Sequence, residues 1–414
     1  MITTRPETST QPGAERRKRL GLRLVCAWAF LLSVQLPGLT EGQDLSLALS
    51  DLVLVAGVLT TLSSTRIRAG VWSVWHFAMP VWMGVSAILV GPLTRYSVAN
   101  KVVGLAVLLV AYAFITSHVW TWDDVFRVVR AFYAGVVVFS ALGIARYALN
   151  VEIPFTFCQT CDVRLLGFMP DANLYGSLLV VALAAFIALD GPRQPLVPPA
   201  LRWPSVLVLV ASLALSSSRS AWLAMGGVVV VALISRRRRA LLPLLAAAVA
   251  VIGAGFVFAS ERVLQFVDLA GRRHSIESRF ALIDHAFDAI GESPLVGIGL
   301  GNSPVRYGQI IHNTLLWITS EMGVIGLVVF GGFLVWMAAR LADAAATTMP
   351  ARRRMVSFLI MGNVGMLVFS QFVEAFYQRH WWLLFALTAS VSAVAAADRE
   401  QDARDPTPRP VRQD

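Results

Sequence analysis

Long apolar stretches recur along almost the whole chain, and they constrain its fold more than any other feature. A helix needs about 20 mostly apolar residues to cross a membrane, because the hydrocarbon layer offers no water to its backbone groups. Only 14% of the residues are charged, against roughly a quarter in soluble domains. We predict an all-α polytopic integral membrane bundle with about twelve transmembrane helices, near residues 20–36, 45–63, 71–91, 102–118, 131–149, 174–189, 204–217, 221–234, 241–259, 314–339, 356–376 and 381–397.

The distribution of lysine and arginine gives an independent test of this topology, because basic residues accumulate in cytoplasmic loops. With the N-terminus inside, 24 of the 35 basic residues fall in predicted cytoplasmic segments. We therefore expect a membrane protein with both termini in the cytoplasm: a cytoplasmic tail over residues 1–19, a single transmembrane domain over 20–397 and a disordered cytoplasmic tail over 398–414. Topology and membrane lipids account for the net charge of +10, so no nucleic-acid partner is expected.

Three cysteines are too few for a disulfide scaffold. Cys158 and Cys161 form a lone CxxC in a predicted outside loop, whereas Cys26 lies in the first span. A zinc site needs two further ligands nearby, and the sequence offers no good pair. We expect a local disulfide or two free thiols, and no metal site.

One predicted outside loop, residues 260–312, is long enough to cap an active site. Within it, apolar residues recur at helical spacing, which predicts an amphipathic helix on the membrane surface or against the bundle. Ser275 is its expected N-cap, and Gly291 followed by Pro294 is a stop signal. The apolar stripe comprises Ile276, Phe280, Ile283, Phe287 and Ile290. The following glycine-rich turn, residues 297–301, is interpreted as a tight re-entry turn rather than a phosphate cradle.

The predicted outer face is rich in arginine, and the long loop alone holds five: Arg262, Arg272, Arg273, Arg279 and Arg306. Arginine binds phosphate by paired, charge-assisted hydrogen bonds and stays protonated, so a pair can hold a pyrophosphate leaving group. Binding to lipid headgroups is the alternative for some of them. Arg219 lies in a serine-rich turn between two short spans, where an unpaired cation is costly.

His312 and Asn313 stand where the long loop enters a span, which places the imidazole at the outer membrane boundary. A histidine titrates near neutrality and can accept a proton from a hydroxyl within hydrogen-bond reach. Glu321 follows in the same helix as an intramembrane carboxylate that needs a partner. Gly323 and Gly326 permit a bend or close helix packing.

Several of these residues resemble the pattern of the O-antigen ligase family, which also includes many polysaccharide polymerases. His312-Asn313, nine residues and then Gly323-Val-Ile-Gly326 resembles its histidine motif. Residues 218–223 resemble its Arg-three-Leu turn, and Arg164, Gly167 and Asn173 resemble its Arg–Gly–Asn approach to the next span. Arg279, Pro294 and the glycine turn form a fourth motif. The four motifs occur in the same order as in the family, across roughly residues 160 to 335.

The resemblance implies a metal-independent, inverting glycosyltransferase that needs no cofactor. Its donor would be a glycan on a polyprenyl pyrophosphate, and its acceptor a hydroxyl on a lipid or a glycan. Arg219 and Arg279 would hold the pyrophosphate, with Arg164 and Arg306 as further candidates. His312 would activate the acceptor or orient the donor, and Asn313, Glu321, Gly323, Gly326 and Asn173 would support the site.

Three alternatives stay open. A polymerase of the same family would need to bind the same kind of donor and to use the same catalytic base. A transporter or lipid flippase usually places ionisable groups near the bilayer midplane and has two related halves, whereas here the charges gather at one predicted face. A non-catalytic scaffold would tolerate neutral substitutions at Arg219, Arg279 and His312.

Aromatic residues near the outer span ends also predict an interfacial belt that can flank the carrier lipid, namely Trp317, Phe376, Tyr377, Trp381 and Trp382.

Overall fold

The computed structural model describes residues 12–35, 48–62, 68, 70–90, 97–149, 164–191, 194–235, 273–349 and 352–404. Within these ranges the chain is helical, with no β-structure beyond isolated bridges, which confirms the predicted all-α class. The helices are α1 (Pro12–Phe30), α2 (Leu49–Thr61), α3 (Val74–Leu89), α4 (Gly104–His118), α5 (Trp122–Leu149), α6 (Ala172–Leu189), α7 (Arg202–Ser216), α8 (Arg219–Ile234), α9 (Arg273–Glu292), α10 (Asn302–Tyr307), α11 (Thr314–Thr347), α12 (Arg353–Phe369) and α13 (Arg379–Arg404).

Several helices meet the requirements for crossing a membrane. Six are long and apolar enough, namely Asn100–His118, Trp122–Leu149, Ala172–Leu189, Pro199–Ser216, Thr314–Thr347 and Arg379–Arg404. Three shorter apolar helices are α2, α3 and α8. A multi-pass membrane protein is therefore supported, but a count of twelve spans is not confirmed, and the span predicted at 241–259 lies outside the described residues.

Helix α6 forms the centre of the bundle. Its sequence is apolar on all sides, as expected for a helix surrounded by other helices, and nearly every side chain from Ala172 to Leu189 is buried. Small residues set the close packing around it. A Cβ on Gly176 would lie 2.6 Å from the Ala221 Cβ of α8, and one on Gly365 of α12 would lie 3.1 Å from Val180 Cγ1. Peripheral helices expose large apolar side chains, such as Val81 and Leu89 of α3.

Two predicted boundaries at the C-terminal end are wrong. Helix α12 ends at Phe369 rather than at residue 376, because Ser370 starts a non-helical connection to α13. Helix α13 continues to Arg404, so residues 398–404 do not belong to a disordered tail. Arg399 Nη1 and Nη2 donate to the Asp343 carboxylate of α11, at 3.3 and 2.8 Å, and this pair anchors the extension.

The amphipathic helix predicted in the long loop is present as α9, but two details of that prediction are wrong. Ser275 lies inside the helix rather than at its N-cap. The face packed on the protein is formed by Leu282, Ala286 and Ala289, whereas Phe280 and Phe287 of the predicted stripe are exposed. Alanine permits closer contact between helices than phenylalanine does, so the small side chains face the protein.

The predicted interfacial aromatic belt is wrong for most of its members. Trp317, Phe376, Trp381 and Trp382 are at most 2% exposed, and only Tyr377 is half-buried. Their rings pack against one another and against Phe330 in edge-to-face contacts. These side chains therefore belong to the core between α11 and α13.

Candidate active site

Several helices begin or end at one end of the bundle, where most of the candidate residues lie. The beginnings of α6, α8 and α13 lie together, because Ser218 Oγ donates to Asn173 Oδ1 at 2.9 Å and Ser177 Oγ lies 2.9 Å from His380 Nε2. Helix α13 follows the end of α12 after a short connection. The beginning of α8 is therefore near the end of α12. The backbone N–H of Thr314 donates to the Ser370 carbonyl at 2.8 Å, which brings the beginning of α11 to the same place. We call this the Arg219 end of the bundle.

Arg164 and Asn173 form a hydrogen-bonded cluster with the turn that precedes α8. Arg164 Nε donates to the Ser216 carbonyl at 2.9 Å, and its Nη2 donates to Asn173 Oδ1 at 3.2 Å. Ser218 Oγ donates to the same amide oxygen at 2.9 Å. The residues of these two sequence motifs thus form one structural unit. The Arg164 guanidinium stabilises the turn between α7 and α8.

The turn itself presents Arg219. Ser217 has a φ of +51°, which is rare for a residue other than glycine. This conformation ends α7 and lets Ser218 Oγ accept from the Ala221 N–H as the N-cap of α8. Arg219 is the first residue of α8 and is half-buried. Within the described part of the chain, no hydrogen bond or ion pair engages its guanidinium, so it has donors available for an anion.

The segment from His312 to Thr314 is fixed by the connection between α12 and α13. Asn313 caps α11 by accepting from the Leu316 N–H at 3.0 Å, and its Nδ2 donates to the Gln371 carbonyl at 2.9 Å. Thr314 Oγ1 donates to the Val373 carbonyl at 3.0 Å. The His312 side chain is exposed beside these anchors. The histidine therefore immediately precedes a hydrogen-bonded helix start.

Helix α11 is interrupted at Gly323, which has a φ of +66° and a ψ of −172°. Residues 294–301, which we call the strap, run beside the break and bind its free backbone groups. The N–H groups of Val324 and Ile325 donate to the carbonyls of Pro294 and Leu295, at 2.8 and 3.3 Å. In the other direction, Ile298 and Gly299 donate to the carbonyls of Ser320 and Glu321. A bend and close packing were both open for the two glycines: α11 is broken at Gly323, and Gly326 packs closely against Met322 and Trp82.

The glycine-rich turn belongs to this strap, and its N–H groups are occupied. Gly301 N–H donates to Glu321 Oε2 at 2.7 Å, and Ser303 N–H donates to Oε1 at 3.2 Å. Leu300 N–H donates to Ser86 Oγ at 3.1 Å. Glu321 is fully buried, and its partners are these amides. This arrangement favours the re-entry turn over a phosphate cradle, since the carboxylate already fills the place of an anion.

The two other candidate arginines differ in their surroundings. Arg306 of α10 binds Glu292 of α9 at 2.5 Å, with both side chains about half exposed. The Arg306 guanidinium lowers the pKa of the Glu292 carboxyl below its usual value through this hydrogen bond. Arg279 lies in α9, but the structure does not describe its side chain.

Two ion pairs at the same end were not predicted from the sequence. Lys101 is buried and lies 3.4 Å from Glu374 Oε2. Arg379 binds both carboxylate oxygens of Asp51, at 2.9 and 2.6 Å. The signal was present in the sequence, because Lys101 is one of two lysines in the chain and precedes a long apolar helix. Among the described residues, no group of three metal-ligating side chains occurs.

The comparisons with known proteins match part of the chain to a family. The family model described as O-antigen ligase matches residues 204–331, which run from α7 into α11. The matched region contains Arg219, Arg279, His312 and Glu321. No curated protein matches the chain.

Proposed function

Because the match over residues 204–331 supports assignment of the chain to the O-antigen ligase family, we propose that it transfers a glycan from a polyprenyl pyrophosphate to an acceptor hydroxyl. The acceptor is a lipid or another glycan, and the reaction takes place at the outer face of the bacterial inner membrane. The observation that carries the proposal is the structure of the Arg219 end: an arginine with available donors begins one helix, and an exposed histidine precedes another.

The chemistry is a single displacement at the anomeric carbon of the donor. The acceptor oxygen forms the new glycosidic bond while the bond to the pyrophosphate oxygen breaks, and this inverts the anomeric carbon. His312 accepts the hydroxyl proton. Arg219 and Arg279 neutralise the charge that develops on the leaving pyrophosphate. Fixed arginine charges supply this stabilisation in the proposed mechanism, which needs neither a metal ion nor a cofactor.

The arginines have different roles in this proposal. Arg164 keeps the turn in shape, because its guanidinium binds Ser216 and Asn173. Arg219 is available to the phosphate groups. Arg306 must exchange Glu292 for a phosphate in order to take part, which the exposure of that pair allows.

A polymerase that lengthens the glycan on its carrier would use the same residues and is the first alternative. The break in α11 favours a second alternative, since broken membrane helices often form the substrate sites of transporters. At this break, however, the strap binds the backbone groups on both sides of Gly323, and backbone N–H groups bind the Glu321 carboxylate. Few polar groups are left there for a transported substrate.

The proposal can be tested by deleting the gene in its own host and measuring polyprenyl-pyrophosphate-linked glycans by mass spectrometry. The deletion strain is complemented with the wild type, with His312→Ala or with His285→Ala, a matched histidine that stacks on Tyr307. Full-length polymer retained on the carrier, rescued by the wild type and His285→Ala but not by His312→Ala, would establish a ligase. Retained single repeat units would establish a polymerase. An unchanged lipid-linked pool, or rescue by His312→Ala, would contradict the catalytic proposal.

A further inference from the structure

A buried lysine lies beneath the beginning of α11. Lys101 belongs to the helical turn Ser97–Val103 that leads into α4, and its side chain is 3% exposed. Its ammonium is 4.5 Å from the ring centroids of both Trp317 and Tyr377. A buried charge needs compensation, and these rings and Glu374 Oε2, at 3.4 Å, provide it. Three elements that are distant in sequence therefore meet at one ammonium group.

Glu374 connects this lysine to the support of the histidine. Its other oxygen, Oε1, accepts from the Phe376 N–H at 3.0 Å, so the carboxylate is fixed within the connection between α12 and α13. On either side of it, Val373 accepts from Thr314 Oγ1 and Ala375 donates to the same hydroxyl. The two residues that flank Glu374 thus bind Thr314, the first residue of α11, two positions after His312.

The lysine also holds α11 directly. Trp317 lies one turn beyond Asn313 on that helix and is fully buried, and the ammonium lies over its ring. Lys101 therefore contacts α11 on one side and the α12–α13 connection on the other. Loss of the charge would loosen both contacts at once, since the cation–π attraction and the ion pair depend on the same ammonium.

We propose that Lys101 and Glu374 are positioning residues that fix His312 for reaction with the acceptor. The inference rests on the proposed function, because it assigns the pair to the histidine of that reaction. Neither residue lies within the region matched by the family model.

The first test measures transfer by purified protein in nanodiscs, with a polyprenyl-pyrophosphate glycan as donor. We expect Lys101→Met and Glu374→Gln each to lower kcat at least tenfold and to leave the donor KM within about twofold, because Arg219 is unchanged. The double variant should retain more activity than the Lys101→Met variant, since it does not leave the Glu374 carboxylate without its ion-pair partner. The matched control is Arg399→Ala, which breaks the ion pair between α11 and α13 at Asp343. It should leave kcat unchanged.

The second test measures position without activity. Spin labels at residues 312 and 223 are introduced after the native cysteines are changed to serine, and the distance distribution between them is recorded. We expect Lys101→Met to broaden the distribution and Arg399→Ala to leave it narrow. An unchanged distribution in folded Lys101→Met protein would overturn the inference. Broadening without any transfer by the wild type would support the positioning role and reject the proposed function, so the two failures are distinguishable.

Discussion

The buried carboxylate of Glu321 accepts a hydrogen bond from the backbone N–H of Gly301, at 2.7 Å. Ser303 donates to the other oxygen of the same carboxylate. A side chain within a broken membrane helix thus orders the loop that precedes it. Four predictions follow from this arrangement and from the rest of the Arg219 end.

Replacing Glu321 by alanine should destabilise the protein strongly. Two backbone N–H groups would remain buried without an acceptor, at a cost of about 1–3 kcal/mol each. The melting temperature of the purified protein, measured by intrinsic fluorescence, should fall clearly. The matched control is Glu400→Ala, whose side chain is largely exposed at the other end of α13. A Glu321→Ala protein as stable as this control would contradict the structural role of the carboxylate.

Gly323→Ala should prevent the bend in α11. A Cβ at this position would lie 2.1 Å from the Leu295 carbonyl oxygen, and the backbone conformation is one that alanine rarely adopts, at a cost of about 1–3 kcal/mol. We expect little folded protein in size-exclusion chromatography. Gly331→Ala in the same helix is the control, since nothing lies within 4 Å of its added Cβ. Equal yields of the two variants would show that the break is dispensable.

Arg219→Ala should reduce transfer more than Arg219→Lys. Loss of one charge-stabilising group typically lowers kcat by about 10²–10³-fold, and lysine keeps the charge but loses the paired hydrogen bonds. The measurement is kcat/KM for the lipid-linked donor. Arg404→Ala, which changes an exposed arginine at the opposite end, should remain at the wild-type value. A wild-type rate for Arg219→Ala would exclude this arginine as a phosphate ligand.

Glu292→Gln should strengthen donor binding, because it releases Arg306 from its ion pair. The donor KM should fall by about two- to fivefold, in the range of an exposed pair, whereas Asp284→Asn on the same helix should leave it unchanged.

Protonation of Glu292 should also release Arg306 from the ion pair. Since Arg306 lowers the pKa of this carboxyl, the pair persists below the carboxyl's usual pKa and is lost as the pH falls through the lowered value. Between pH 6 and 8 the effect of Glu292 on the donor KM should therefore be constant. A rise in the donor KM of the Glu292→Gln variant would contradict a role for Arg306 in donor binding.

The sequence predicted those features that follow from local pattern. Glycine at residue 323 permits a bend or close packing of the helix, so a special backbone conformation there could be expected from the residue type. The turn at Arg219 was predicted from serine and arginine between two apolar stretches. In each case the physical cause lies within a few residues of the feature.

The features that were missed depend on contacts between distant segments. Lys101 and Glu374 are 273 residues apart, and no local pattern relates them. The buried face of α9 was misassigned because large side chains dominate a hydrophobic stripe, whereas the packed face uses Ala286 and Ala289. Trp317 and Trp382 occupy span ends, where the same residue suits either a lipid interface or a core. Only the tertiary packing distinguishes these two environments.

The break in α11 also constrains how the protein is made. Hydrocarbon offers no partner to a free backbone group, so this helix cannot enter the bilayer in its final shape before the strap has bound the groups on both sides of Gly323. Residues 294–301 precede α11 in the chain and are synthesised first. The order of synthesis thus provides the strap before the helix that requires it, and the final shape of α11 depends on its hydrogen bonds to residues 294–301.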